Sequence, residues 1–143
     1  MTNEEKYRRG YETRARMLGS HSVRTSYIER LAPDLERWIC ENLFGDVYCR
    51  EVLPPKFRSL LTIVMQAMGG HHKQLHAHVG GALNNGATPE EIIETLLQMF
   101  WYAGLSPTST ALSITEEVFR ERGLLNQDGR IKNPRQPGAH IND

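Results

Sequence analysis

The stretch His71-His72-Lys73-Gln74-Leu75-His76-Ala77-His78-Val79-Gly80-Gly81-Ala82-Leu83-Asn84-Asn85-Gly86-Ala87-Thr88-Pro89-Glu90-Glu91 decides the fold. Its first part predicts a helix from about His71 to Leu83, and Asn84-Asn85-Gly86 supplies residues that tolerate a left-handed C-cap. Thr88-Pro89-Glu90-Glu91 then offers a capping hydroxyl, a proline at the first helical position and a glutamate placed to complete a capping box. One helix ends and the next begins within a few residues.

Working outward, apolar residues keep helical rather than strand spacing, and the breaks fall at proline, glycine and asparagine. Ile92, Leu96, Met99, Phe100 and Ala103 continue the second helix as a buried stripe. Ser106-Pro107 repeats the cap-then-proline signal, and Ala111, Ile114, Val118 and Phe119 carry the last long helix to Gly123. Upstream, Leu60, Ile63, Val64, Ala67 and Met68 make one stripe of a helix over Lys56 to Met68, which comes after Pro54-Pro55 and stops at Gly69-Gly70. A region from Ser26 to Leu43 is helical with Pro33 bending it or starting a new helix, because proline lacks the interior donor; Gly45-Asp46 closes it. A first helix covers Glu4 to Leu18 and ends at Gly19. The expected fold is all-α, a compact bundle of about six helices over residues 1–123. Residues 124–143, rich in Asn, Pro, Gly and charge, are expected to form an extended or partly disordered arm, ordered only against a neighbouring subunit.

A chain of 143 residues fits one domain. Its 17 Lys plus Arg balance 17 Asp plus Glu, so no net field draws it to nucleic acid or anionic lipid. The charged N-terminus lacks the apolar core of a signal peptide, and no apolar run approaches the ~20 residues that span a bilayer. The expected location is cytoplasmic. Cys40 and Cys49 match neither a CxxC pair nor a zinc knuckle, and read as buried or neutral thiols.

Four of the six histidines fall between His71 and His78. Imidazole titrates near neutral pH and is also the commonest metal ligand, so function is sought here first. On a helix His71, Gln74, Leu75, His78 and Ala82 share a face, while His72 and His76 lie one turn apart on another. The i, i+4 pair has spacing for one metal but no third ligand in its window, and reads more simply as solvated beside Lys73. His78, between Leu75, Val79 and Ala82, points inward. It is either a core histidine satisfied by a carbonyl or a proton carrier with partners. The candidate partners are Glu41, Tyr48, Arg50 and Arg58, each of which has an ordinary structural explanation.

Lys56-Phe57-Arg58-Ser59-Leu60-Leu61-Thr62, His78-Val79 with Ala82-Leu83-Asn84-Asn85-Gly86, and Thr88-Pro89-Glu90-Glu91-Ile92 with Tyr102-Ala103-Gly104 resemble the carboxymuconolactone decarboxylase family. The similarity extends to Glu41, Gly45, Val47, Tyr48 and Arg50 and covers roughly Tyr7 to Phe119. It implies an alkylhydroperoxidase D-like helical fold assembled as a homo-oligomer, a trimer or hexamer, with sites between helices and often between subunits. The related reductases carry a CxxC pair before the equivalent of His78. Here those positions are His71 and Gln74, so disulfide exchange is set aside. The resemblance therefore implies the branch that needs no cofactor and no metal, and a cofactor-independent decarboxylase of a small cyclic carboxylate such as 4-carboxymuconolactone.

Losing CO2 sends electrons into a carbonyl, and a proton must then return to carbon. On this reading His78 carries the proton, Tyr48 polarises the carbonyl, Glu41 is a further catalytic candidate, and Arg50 or Arg58 holds a carboxylate. His71 and Gln74 are candidate substrate contacts, and Trp38, Phe100 and Trp101 are candidates for an apolar wall that favours neutral CO2. The decarboxylases lead one to expect glutamates where this chain has Lys73 and Gln74. Three rivals remain: an acid–base isomerase or cyclase on a related ring compound, a non-catalytic oligomer that binds a ligand or protein, and a metal-dependent enzyme using His72 and His76.

Overall fold

The computed structural model describes residues 1–19 and 26–134. Among them are seven α-helices, in chain order α1 (Asn3–Leu18), α2 (Tyr27–Leu31), α3 (Pro33–Trp38), α4 (Pro55–Met68), α5 (His72–Asn84), α6 (Pro89–Ala103) and α7 (Leu105–Glu121). The expected all-α class is what the chain adopts. The region from Ser26, expected to bend at Pro33 or to start a new helix there, is three pieces. Ala32, at φ −143, leaves the helical conformation and Pro33 takes the first position of α3. Past Trp38 the coil widens into a π turn, Ile39–Phe44, closed by an i to i+5 bond of 2.7 Å from the Gly45 amide to the Cys40 carbonyl.

Thr88 caps α6 as its sequence requires: its hydroxyl accepts from the Glu91 amide while the Glu91 carboxylate accepts from the Thr88 amide. The other expected cap is a correction. Helix α7 starts two residues before the expected Pro107, at Leu105, after Gly104 at φ +87, and Ser106 caps nothing. Pro107 sits in the first turn, where amides have no intrahelical acceptor and a missing N–H costs little.

Helices α4 to α7 bury Ile63, Leu75, Val79, Ile92, Leu96, Met99, Val118 and Phe119 in one core. A smaller cluster of Met17, Phe44 and Tyr48 fills the space between α1, the π turn and a 3-10 turn, Val47–Cys49. Helix α1 reaches that space because two glycines let it approach closely. A Cβ on Gly10 would lie 1.8 Å from the Cys40 carbonyl oxygen, and one on Gly81 of α5 would lie 3.1 Å from Leu18 Cδ2. The Asn84 amide donates to the Met17 carbonyl, Asn85 Nδ2 donates to Ser59 Oγ at 2.9 Å, and Arg9 Nε donates to the Gly45 carbonyl at 2.7 Å. These bonds tie α1, α4, α5 and the π turn together.

After Gly123 the chain makes a tight turn with a single bridge between Leu125 and Ile131. The Lys132 amide donates to the Leu124 carbonyl at 2.9 Å, and Leu124, Leu125 and Ile131 pack on the main core. The opening part of the expected arm thus lies on the core of its own chain, and residues 135–143 are outside the described ones.

Gly10→Ala should destabilise the fold by about 3 kcal/mol or more, because the new methyl meets a backbone carbonyl that cannot rotate away. Gly81→Ala, which meets only side-chain ends, should cost clearly less. Urea unfolding of both variants checks the order, and equal midpoints would contradict this packing.

Candidate active site

His78 projects from α5, and its Nδ1 is buried with no hydrogen-bond partner. Burial first, and the Arg14 guanidinium second, push its pKa down to about 4. The ring is therefore neutral at physiological pH. A core histidine satisfied by a carbonyl at that nitrogen, one of the two sequence readings, is not what the structure holds.

Arg14 is itself buried, at 8% exposure, on the stripe Gly10, Thr13, Arg14 and Met17 that α1 turns inward. It pairs with Glu36 of α3, which is 4% exposed, and its guanidinium lies 5.8 Å from the Phe44 ring centroid. Glu36 Oε1 also accepts from the Cys40 thiol at 3.6 Å, while Oε2 is buried without a partner. Burial, reinforced by Glu36, pushes the Cys40 pKa up to about 11. That thiol is neutral, and both cysteines are free.

Phe44 stacks on Tyr48 with ring centroids 5.2 Å apart. The Tyr48 hydroxyl lies 2.9 Å from Thr62 Oγ1, and Thr62 gives its own proton to the Arg58 carbonyl at 2.8 Å. Tyr48 is therefore the donor in the first bond. Burial raises the Tyr48 pKa, opposed by the Thr62 bond and the Arg58 charge. Arg58 donates from Nη2 to the Arg50 carbonyl at 3.3 Å, and its Nε is buried without a partner. A continuous series of contacts thus runs from Arg14 through Phe44 and Tyr48 to Thr62 and Arg58, with His78 in the field of Arg14.

The other candidates stand apart from this series. Glu41 is buried, with Oε1 2.7 Å from Arg37 Nε in an ionic contact rather than an aligned hydrogen bond. Arg37 also holds Glu4 at 2.9 Å and covers the Tyr7 ring, so Glu41 belongs to an ion cluster at the start of α1. The Arg50 side chain, His71 and Gln74 are exposed, and His71 Nδ1 pairs with Gln66 Oε1 at 2.8 Å. Trp38 and Trp101 are 59% and 80% exposed, and half-buried Phe100 meets Trp101 edge-on. Within one subunit the two tryptophans face solvent. His76 Nε2 contacts Glu121 at 3.1 Å, Lys73 Nζ sits over the Tyr27 ring, and among the described residues no group of three or more His, Cys, Asp or Glu is placed to hold a metal.

The sequence reading passed over Arg14, Glu36 and Thr62. A signal existed for the first two: an arginine one turn past Gly10 on an apolar stripe, and a glutamate four residues before Cys40. Charged residues on a stripe normally mark a helix edge, and only packing shows that both are inside.

The site thus sets a neutral imidazole in an all-helical frame that carries two free thiols and no CxxC pair. A family model, the carboxymuconolactone decarboxylase family, matches residues 33–117, and the chain belongs to that family. It is 33% identical to a 4-carboxymuconolactone decarboxylase of Acinetobacter baylyi over 126 residues, 87% of this chain and 94% of the relative. It is 31% identical to a nitrosuccinic acid decarboxylase of Metarhizium robertsii over 140 residues, 93% and 95% of the two chains. A 15.0 kDa protein of Paracoccus denitrificans is 38% identical over 96 residues, 66% of this chain and 72% of that one. No described helix is long and apolar enough to cross a membrane.

The His78 pKa falls from 6.5 to about 4 on folding, so between those values the unfolded chain binds more protons. The contribution of His78 to stability is whole above about pH 6.5 and is lost as pH drops towards about 4. Urea midpoints at pH 5 and pH 7 should differ less in His78→Gln than in the parent; an unchanged difference would mean the ring is not buried neutral.

Proposed function

We propose that the protein is a decarboxylase of a small di-acid, with His78 carrying the proton. The observation that carries this reading is the half-buried, neutral imidazole whose buried Nδ1 has no protein partner. Such a nitrogen costs stability unless it serves a ligand. The substrates in the relatives' names narrow the class. Both 4-carboxymuconolactone and nitrosuccinic acid have two carboxyl groups. In both, a carboxyl sits on a carbon from which a released electron pair can pass into an acceptor, the lactone carbonyl or the nitro group.

The reaction is redox-neutral. The bond between the departing carboxyl carbon and its neighbour breaks, its electron pair moves onto the acceptor oxygen, and CO2 leaves. A carbon of the resulting enolate or nitronate then takes a proton: the one that lost CO2 in the nitro acid, the one beside the lactone carbonyl in the unsaturated lactone. An anionic substrate beside His78 favours the imidazolium, so binding loads the proton that the empty site withholds. Arg58, half-buried beside Tyr48 with Nε unpartnered, suits the carboxylate that is kept. Thr62 orients Tyr48 at the same end of the site.

Oligomerisation belongs to the same reading. Phe57, Leu61, Met65, Met68 and Tyr102 are exposed around an open groove of about 870 Å³ between α4 and α6. A continuous apolar face of this kind is covered in soluble proteins, and here further copies of the chain are the proposed cover, in a trimer or hexamer. Leu61→Glu should lower the mass seen in sedimentation without unfolding the chain. A parent that sediments as a monomer would end the oligomer proposal.

The test of activity is CO2 release from 4-carboxymuconolactone and from 2-nitrosuccinate. The parent should release CO2 from at least one of them, and His78→Gln should be slower by about 100-fold or more. A folded parent that releases none, yet exchanges substrate protons with solvent through His78, would replace the decarboxylase with the acid–base isomerase.

A further inference from the structure

Building on the decarboxylase reading, we propose that Arg14 is the catalytic cation of the site. Its guanidinium meets the oxygen on which negative charge collects as CO2 leaves, and Glu36 is the positioning residue that holds it there.

Three costly features share this corner of the molecule. The Arg14–Glu36 pair is buried on both sides, and buried ion pairs contribute little net stability compared with apolar packing. Glu36 keeps a second carboxylate oxygen buried and unpartnered. Arg14 also disfavours the charged form of the His78 imidazole, whose Nδ1 is buried. A pair present only for stability would avoid the last two costs. A site that must receive an anion accounts for the first and the last, because the arriving anion meets a fixed cation and relieves the histidine.

The electrostatics of the reaction ask for such a group. Before the step the charge lies on the departing carboxylate, and after it on the acceptor oxygen, enolate or nitronate. CO2 itself is neutral, so no net charge is created. A cation placed by the acceptor oxygen, and not by the departing carboxylate, lowers the barrier by stabilising the later charge more than the earlier one. Glu36 engages one terminal nitrogen of Arg14, and the planar fork of a guanidinium has donors on more than one edge. Arg58 cannot take this part while it anchors the retained carboxylate at the Tyr48 end.

The backbone is built to hold Arg14 in place. Gly10, one turn earlier, lets α1 touch the π turn, and Gly81 lets it lie on the helix that carries His78. Residue 14 also lies outside the segment 33–117 that the family model matches. The site within the matched segment is completed by a cation delivered from the helix before it.

The deciding experiment compares the parent with Arg14→Lys and with the double variant Arg14→Gln/Glu36→Gln, whose neutral hydrogen-bonded pair leaves no buried charge alone. Steady-state decarboxylation is read beside calorimetric binding of propionate-3-nitronate, the anion in which the nitro group already holds the charge, and of 3-nitropropionate, in which it does not. The double variant should lose about 100-fold or more in kcat with KM within about threefold. It should also lose the parent's preference for the nitronate, and Arg14→Lys should restore part of both. A double variant that keeps its kcat, or still prefers the nitronate, overturns the role of Arg14 and leaves the decarboxylase reading standing. A parent that turns over neither di-acid, yet prefers the nitronate through Arg14, overturns the decarboxylase reading and leaves the anion site. A parent that does neither overturns both. If the double variant loses its helical signal, titrating the parent with nitronate decides the same point: the Arg14 guanidinium resonance must shift, and a silent resonance refutes the assignment.

Discussion

The backbone of α1 lies against the backbone of the π turn, and the interior of the site depends on that contact. Gly10 has no room for a methyl beside the Cys40 carbonyl, and Gly45 is equally tight against the Lys6 carbonyl, where a Cβ would come within 2.3 Å. With the two backbones this close, Arg14 is carried inside, where it finds Glu36 on α3 and the face of Phe44. The widened turn matters as well. An i to i+5 step rotates the succeeding residues relative to an α-helix, so that Phe44 stacks between Arg14 and Tyr48 instead of turning to solvent.

Electrostatics at the site depend on burial more than on pairing. His78 is neutral chiefly because water has been removed from it, and Cys40 is a neutral thiol for the same reason. Among the described residues the interior thus holds the Arg14–Glu36 pair, a second buried carboxylate on Glu41 and the neutral imidazole of His78. Under the proposed reaction a decarboxylase needs a place for displaced negative charge and a proton to return, and needs no thiol to do either.

Much of the fold was legible along the chain because its signals are local. Thr88-Pro89-Glu90-Glu91 capped α6 as the spacing required, and the glycines after α1 and α4 ended those helices. The reading slipped where two local signals competed. Ser106-Pro107 has the residues of a cap, but Gly104, with φ +87, turned the chain two residues earlier. The run after Trp38 carries nothing that distinguishes a π turn from an α-helix, since the extra residue is accommodated only against the packed backbone of α1.

His78 was visible as an inward-facing histidine, because helical periodicity assigns a face to a side chain from its neighbours in the chain. Tyr48 and Arg58 were visible as chemistry without geometry; the structure joined them through Thr62. Arg14 and Glu36 were not visible as a pair at all. The sequence by itself determined most of the helices, the ends that carry a glycine or a capping box, and which faces are apolar, because capping, glycine freedom and periodicity act over a few residues. Tertiary structure alone decided that an arginine and a glutamate twenty-two positions apart meet inside and that the histidine's nitrogen is left unpartnered, because both depend on how closely backbones from distant segments can approach.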